Sequence, residues 1–85
     1  MSAELEPAIR VVLDHHARLP NGASKLGADD DLFAAGMTSH ASVSVMLALE
    51  DAFDLEFPDE MLKRSVFASV AAITAAVSQL QEAPA

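Results

Sequence analysis

The residues able to do chemistry fall in three places. Ser39 closes the stretch Asp31-Leu32-Phe33-Ala34-Ala35-Gly36-Met37-Thr38-Ser39, just before His40 and an apolar helical run to Phe53. His15 and His16 follow Asp14, and Asp29, Asp30 and Asp31 stand together. A serine in the first turn of a helix lies beside unpaired backbone N–H groups and the positive end of the helix dipole. Both favour a phosphate there, so the chemistry suited to Ser39 is that of a phosphate ester. Neighbouring helix residues project roughly 100° apart, so His15 and His16 cannot readily hold one metal ion between them. One is expected at the edge of the core and the other outside. The three aspartates lack the ligand spacing and closing glutamate of a calcium loop. With no nucleophile–base pair and no metal cluster, no catalysis is expected.

Local sequence offers Ser39 a plainer role as a helix N-cap, or as the first helical residue behind a Thr38 cap. No capping-box acid follows, because Ala41 and Ser42 occupy the candidate positions. Gly36 allows the chain a tight approach to the helix. His40 reads first as a solvent-exposed residue of the first turn. The alternative is a hydrogen bond to the phosphate or to a partner.

The elements that must position Ser39 follow from periodicity. Residues 3 to 18 read as a helix, with Leu5, Ile9, Val12, Leu13 and His16 inward and Glu4, Glu6, Arg10, Asp14 and Arg18 outward. Pro7 falls near its first turn, and Asp14 with Arg18 forms an i,i+4 pair. Leu19-Pro20-Asn21-Gly22 ends it. A long connection over about 20 to 38 follows, with Leu26, Leu32 and Phe33 as apolar anchors and the aspartates as caps of a short turn. The second helix spans Ser39 to Phe53, with a stripe of Val43, Met46, Leu47, Glu50 and Phe53 and with Leu49 beside it. Ala41, Ser42, Ser44, Val45 and Ala48 make up its remaining, small-residue surface. Glu50, Asp51 and Asp54 put acid at its C-terminal end, against the dipole, which suggests a use for that acid. A brief third helix begins at Pro58-Asp59-Glu60-Met61. A fourth runs from about 70 to 81, capped by Ser69, with Val70, Ile73, Val77 and Leu80 buried. Met37, Met46 and Met61 are core or groove fillers, and Met37 and Met61 also border a candidate partner surface. No strand alternation occurs, so the fold class is all-α.

Net charge is −8, with 13 Asp and Glu against 5 Lys and Arg. That field repels nucleic acid and anionic lipid, and it favours partners with basic docking surfaces. The chain has no cysteine, hence no disulfide framework and no thiolate site. No segment reads as a signal peptide or a membrane span, and a cytoplasmic, monomeric protein is expected. Its 85 residues suffice for one domain, residues 1–85, with an ordered core of about 3–81 and a tail of 82–85.

Asp30, Leu32, Gly36, Met37, Ser39, Glu50, Phe53 and Pro58 stand in the order and spacing of the acyl carrier protein family. Its pattern is D-x-L-x-x-x-G-hydrophobe-D-S-L, then a helix ending in acid and Phe, a short acidic link and Pro. The resemblance covers nearly the whole chain, including Phe67-Ala68-Ser69-Val70 at the start of the last helix. It implies a small four-helix bundle, three longer helices and one short, with a long first loop. It also implies that Ser39 carries 4′-phosphopantetheine, transferred from coenzyme A by a phosphopantetheinyl transferase. The arm's thiol then holds an acyl or aminoacyl group as a thioester. The chain departs from the pattern at Thr38, where the family has Asp, and at His40, where it has Leu. Ala41 and Ser44 stand where fatty-acid carriers are commonly acidic. These departures point to a specialised carrier loaded with an amino acid by a dedicated ligase and served by a downstream transferase. The expected partner surface is Met37, Thr38, His40, Val43, Glu50, Asp51 and Met61. A fatty-acid or polyketide carrier is the alternative within the family. An acidic helical interaction module without a prosthetic group is the alternative outside it.

Overall fold

The computed structural model describes residues 2–20, 22–23 and 25–82, with side chains from Leu5 onward. Three α-helices, α1 (Ser2–His16), α2 (Ser39–Phe53) and α3 (Val70–Glu82), are joined by turns and by two short 3-10 segments, Asp59–Met61 and Arg64–Phe67. No strand occurs among the described residues. The second 3-10 segment was not anticipated. The first stands where a brief helix was expected, and it is a single turn because Leu62 leaves helical geometry at ψ 64°.

In α1, Leu5, Ile9 and Leu13 recur at i, i+4 and i+8, and all three are buried. The helix starts at Ser2, earlier than expected, so Pro7 lies inside it and not at its first turn. It also ends earlier, at His16. Ala17 makes the last helical bond, to the Leu13 carbonyl at 2.9 Å, and Arg18 turns left-handed at φ 56°. Arg18 therefore cannot pair with Asp14. Asp14 instead accepts from the Ala23 backbone N–H at 2.6 Å. Arg10 pairs with Glu6 at 3.0 Å and donates to the Ala23 and Leu26 carbonyls at 2.7 Å each. The outer edge of α1 thus holds the chain that follows it. His15 and His16 are both exposed, and no His/Asp/Glu cluster among the described residues is suited to a metal. The side chain of Glu4, expected outward, and the turn residue Asn21 lie outside what is described.

The connection from 17 to 38 is built from turns. Asp31 Oδ1 accepts from the Phe33 and Ala34 amides, and Asp30 Oδ2 accepts from Gly27, so two of the three aspartates are turn caps. Leu32 is fully buried, and Leu26 and Phe33 pack half-buried against the core. Two backbone bonds tie this segment to the start of α3: Leu32 N–H to the Ala68 carbonyl at 2.6 Å, and Ala71 N–H to the Ala28 carbonyl at 2.8 Å. Gly36 sits at φ +124°, where a Cβ would stand 2.8 Å from Pro20 Cδ. Glycine is required there by conformation and by space.

Helix α2 has the expected bounds but a different inner face. Ala41, Val45 and Leu49 are the buried residues, whereas Val43 is 51% and Leu47 55% exposed. Nearly every side of α2 carries an apolar residue, so its periodicity permits more than one phase, and packing against α1 and the connection selects one. Asp54 ends the helix in a left-handed conformation, its N–H on the Glu50 carbonyl. The Glu50 carboxylate accepts from the buried Phe57 backbone at 2.9 Å. The acid that looked misplaced against the dipole is therefore a pin for the following link. Phe57 meets Phe67 at 5.4 Å between ring centres. Ser69 Oγ caps α3 by accepting from Ala72 at 3.1 Å, and Val70, Ile73 and Val77 are fully buried as expected, with Thr74 and Ala76 added to that face. The helix continues through Glu82, so of the expected tail only 83–85 falls outside the described residues.

Candidate functional site at the start of helix α2

Thr38 is the N-cap of α2. Its backbone is extended (φ −84°, ψ 164°), and its Oγ1 accepts from the Ala41 N–H at 3.0 Å. Its carbonyl takes the Ser42 N–H at 2.9 Å. An aspartate at the same place would cap the helix in the same way, so Thr38 preserves the cap without the charge.

Ser39 is consequently the first helical residue rather than the cap, and it is exposed. Its side chain makes no hydrogen bond among the described residues, although its carbonyl accepts from Ser42 Oγ at 2.6 Å. The backbone N–H groups of Ser39 and His40 likewise have no partner among the described residues, the other two first-turn donors being satisfied by Thr38. No acidic residue stands in the first turn. An exposed hydroxyl, two open N–H donors and the positive end of a four-turn helix therefore coincide. That donor set fits a phosphodiester formed at Ser39.

Behind the serine lies a groove of about 480 Å³ between α2 and the 3-10 segments. Ser39, Ser42, Val43 and Met46 form one wall, Leu62 and Phe67 the other, with Phe33 from the connection, and Lys63 and Arg64 as its charged residues. The Arg64 guanidinium carbon sits 4.0 Å from the centre of the Phe33 ring, a cation–π stack that holds the charge against the groove. The groove is largely apolar and includes the serine in its lining, which suits a flexible, mostly uncharged arm.

The expected partner surface divides. Thr38, His40, Val43 and Asp51 are exposed, and Glu50 and Met61 are half-buried. Met37 is only 2% exposed and belongs to the core, because its backbone N–H bonds the Leu32 carbonyl at 3.0 Å and turns the side chain inward. It therefore does not lie on that surface. Leu47 and Leu62, outside the expected surface, are also exposed and apolar. Lys63 and Arg64 were passed over, yet after Lys25 they are the sole Lys or Arg residues in the sequence. That isolation in an acidic chain was the signal available for them.

Residues 11–77 match the family model of the phosphopantetheine attachment site. An aminoacyl carrier protein of Agrobacterium fabrum is 45% identical over 69 residues, 81% of this chain and 83% of that protein. A chain in the crystal structure of an engineered Bradyrhizobium japonicum glycine:[carrier protein] ligase, complexed with the carrier protein from Agrobacterium tumefaciens and AMP, is 44% identical. It superposes with a TM-score of 0.83, covering 86% of this chain and 97% of that one. The corresponding complex with ATP gives 0.85 at 43% identity, covering 88% and 97%. A solution structure of a protein from Agrobacterium tumefaciens gives 0.72 at 42% identity, covering 91% and 93%.

Proposed function

Since the chain belongs to the phosphopantetheine-attachment family of carrier proteins, we propose that Ser39 bears the 4′-phosphopantetheine arm. The protein then acts as a non-catalytic aminoacyl carrier. The observation that carries this reading is the unbonded, exposed Ser39 hydroxyl beside two open N–H donors. When bound, the arm supplies a terminal thiol that holds the cargo as a thioester. The chain's own residues present and orient it. Thr38 fixes the helix start, the Ser39 and His40 amides would be the donors available to the phosphate, and Val43, Met46 and Leu62 would offer the stem an apolar wall.

An amino acid is the favoured cargo. The curated relative is an aminoacyl carrier, and the matched crystal structures hold a carrier with a glycine ligase. The first turn of α2 carries no acid for an acid-reading fatty-acid enzyme to grip, which agrees with it. The partners are then a phosphopantetheinyl transferase, an aminoacyl ligase and a downstream transferase, the last two meeting the start and outer face of α2 and the first 3-10 segment, around Thr38, His40, Val43, Glu50, Asp51 and Met61. The two 3-10 turns take the place of the short helix in a carrier bundle, and residues 1–85 act as one monomeric carrier domain in the cytoplasm.

Two steps test this. Incubation with coenzyme A and a broad-specificity phosphopantetheinyl transferase adds the mass of one arm to the wild type and nothing to Ser39→Ala. The arm-bearing protein then gains one amino acid with an aminoacyl ligase and ATP, in a panel that includes glycine. A wild type that stays unmodified refutes the carrier reading. Loading only by fatty-acyl enzymes refutes the aminoacyl one.

A further inference from the structure

The charges along the groove are all of one sign. The sequence holds 13 acidic residues and 5 Lys or Arg, yet the groove beside Ser39 is lined by Lys63 and Arg64 and by no acid. Its remaining surface is largely apolar: Phe33, Val43, Met46, Leu62 and Phe67. Arg64 is stacked on Phe33 at 4.0 Å, so its charge is held at the wall. A cationic group entering this space would meet apolar side chains and two exposed like charges, with no acid among the lining residues.

Resting on the reading of Ser39 as the arm's attachment point, we propose that Lys63 and Arg64 make the groove charge-selective. It shelters an uncharged acyl end of the arm and excludes the α-ammonium of an aminoacyl end. A loaded amino acid is then displayed in solvent for the partner enzyme, whereas a neutral acyl group of the same size is withdrawn along α2. Glycyl and propionyl groups make the sharpest comparison, because they differ by an ammonium in place of a methyl.

The full-length protein is armed enzymatically with non-hydrolysable glycyl and propionyl amide analogues, and intact mass confirms each product. Methyl and amide NMR signals of Val43, Met46, Leu62 and Phe67 are then compared with those of the unacylated arm-bearing protein. Propionyl is expected to occupy the groove at least about tenfold more than glycyl. A tenfold ratio corresponds to about 1.4 kcal/mol. The double variant K63E/R64E is expected to let glycyl shift the same signals. The milder K63Q/R64Q, which keeps side-chain length, is expected to narrow the ratio.

Equal shifts from the two cargoes in the wild type overturn the proposal, as does an absence of shifts from both. A ratio unchanged in both variants shows that the cations are not the cause and overturns it too. Failure of the arm to attach is read by mass alone, and it refutes the carrier reading instead.

Discussion

The hydroxyl of Thr38 can be removed without changing the shape of its side chain, and the consequence can be calculated. Thr38 Oγ1 accepts from the Ala41 N–H at 3.0 Å and is the side-chain cap of α2. Thr38→Val keeps a β-branched residue at an exposed position but leaves that amide unpaired. Loss of a side-chain N-cap costs about 0.5–2 kcal/mol. At about 2.1 cal/mol/K per residue, the unfolding entropy of 85 residues is roughly 0.18 kcal/mol/K, so this loss lowers the Tm by roughly 3–11 °C. Thr38→Ser and Thr38→Asp restore an oxygen in the capping position and should return most of it. Aspartate adds a charge favoured at a helix N-terminus. Circular dichroism melts, with urea unfolding to verify an unchanged m-value, measure the series. A Thr38→Val protein with the wild-type Tm, or a Thr38→Ser protein as unstable as the valine variant, would refute the view that this hydroxyl holds the start of α2. The same view expects the armed Thr38→Asp protein to be less stable than armed Thr38→Ser, since its carboxylate would face the phosphodiester.

Substitutions at four further positions probe other parts of the frame. Ser39→Ala should abolish arm attachment by intact mass while moving stability by no more than roughly 0.5 kcal/mol, because the side chain is exposed and unbonded. Gly36→Ala should destabilise by about 1–3 kcal/mol in denaturant titrations, since φ +124° and the 2.8 Å approach to Pro20 both disfavour a Cβ. Glu50→Ala should cost about 1–3 kcal/mol by leaving the buried Phe57 amide without its acceptor, and Glu50→Gln should cost less because it keeps one. Leu32→Ala removes a fully buried side chain and should cost about 2–5 kcal/mol by the same measurement.

What the sequence made legible follows from where its signals are unambiguous. The bounds of α2 and the Ser69 cap of α3 were readable because caps and periodicity agree there. The inner face of α2 was not. With Ala41, Val43, Val45, Met46, Leu47 and Leu49 all apolar, period alone cannot choose a phase, and the choice belongs to Leu32 and the helices packed against it. The end of α1 was misplaced because Arg18, a good helix former, adopts the left-handed conformation. Asp14 is used by Ala23 and leaves Arg18 no helical partner. Glu50 illustrates a third kind of miss. Its charge looked like a partner signal, but its acceptor role depends on a backbone N–H seven residues away, which no local pattern announces. Ser39 itself was legible as a helix-start serine. Its groove was not, because Phe33, Val43 and Arg64 meet only in three dimensions.

The two backbone bonds from Leu32 and Ala71 to Ala68 and Ala28 have a consequence for the order of events during synthesis. The segment leading into Ser39 is held by α1 at Ala23 and Leu26, but at Ala28 and Leu32 it is anchored on residues around the start of α3. A nascent chain that has delivered α1, the connection and α2 still lacks the residues that hold Leu32 and close the far wall of the groove. Domains assemble as their segments emerge, N-terminal parts first. The serine therefore reaches its finished setting only once α3 has left the ribosome. Any enzyme that recognises the folded junction must act after α3 has packed, and a chain truncated before α3 is expected to escape it.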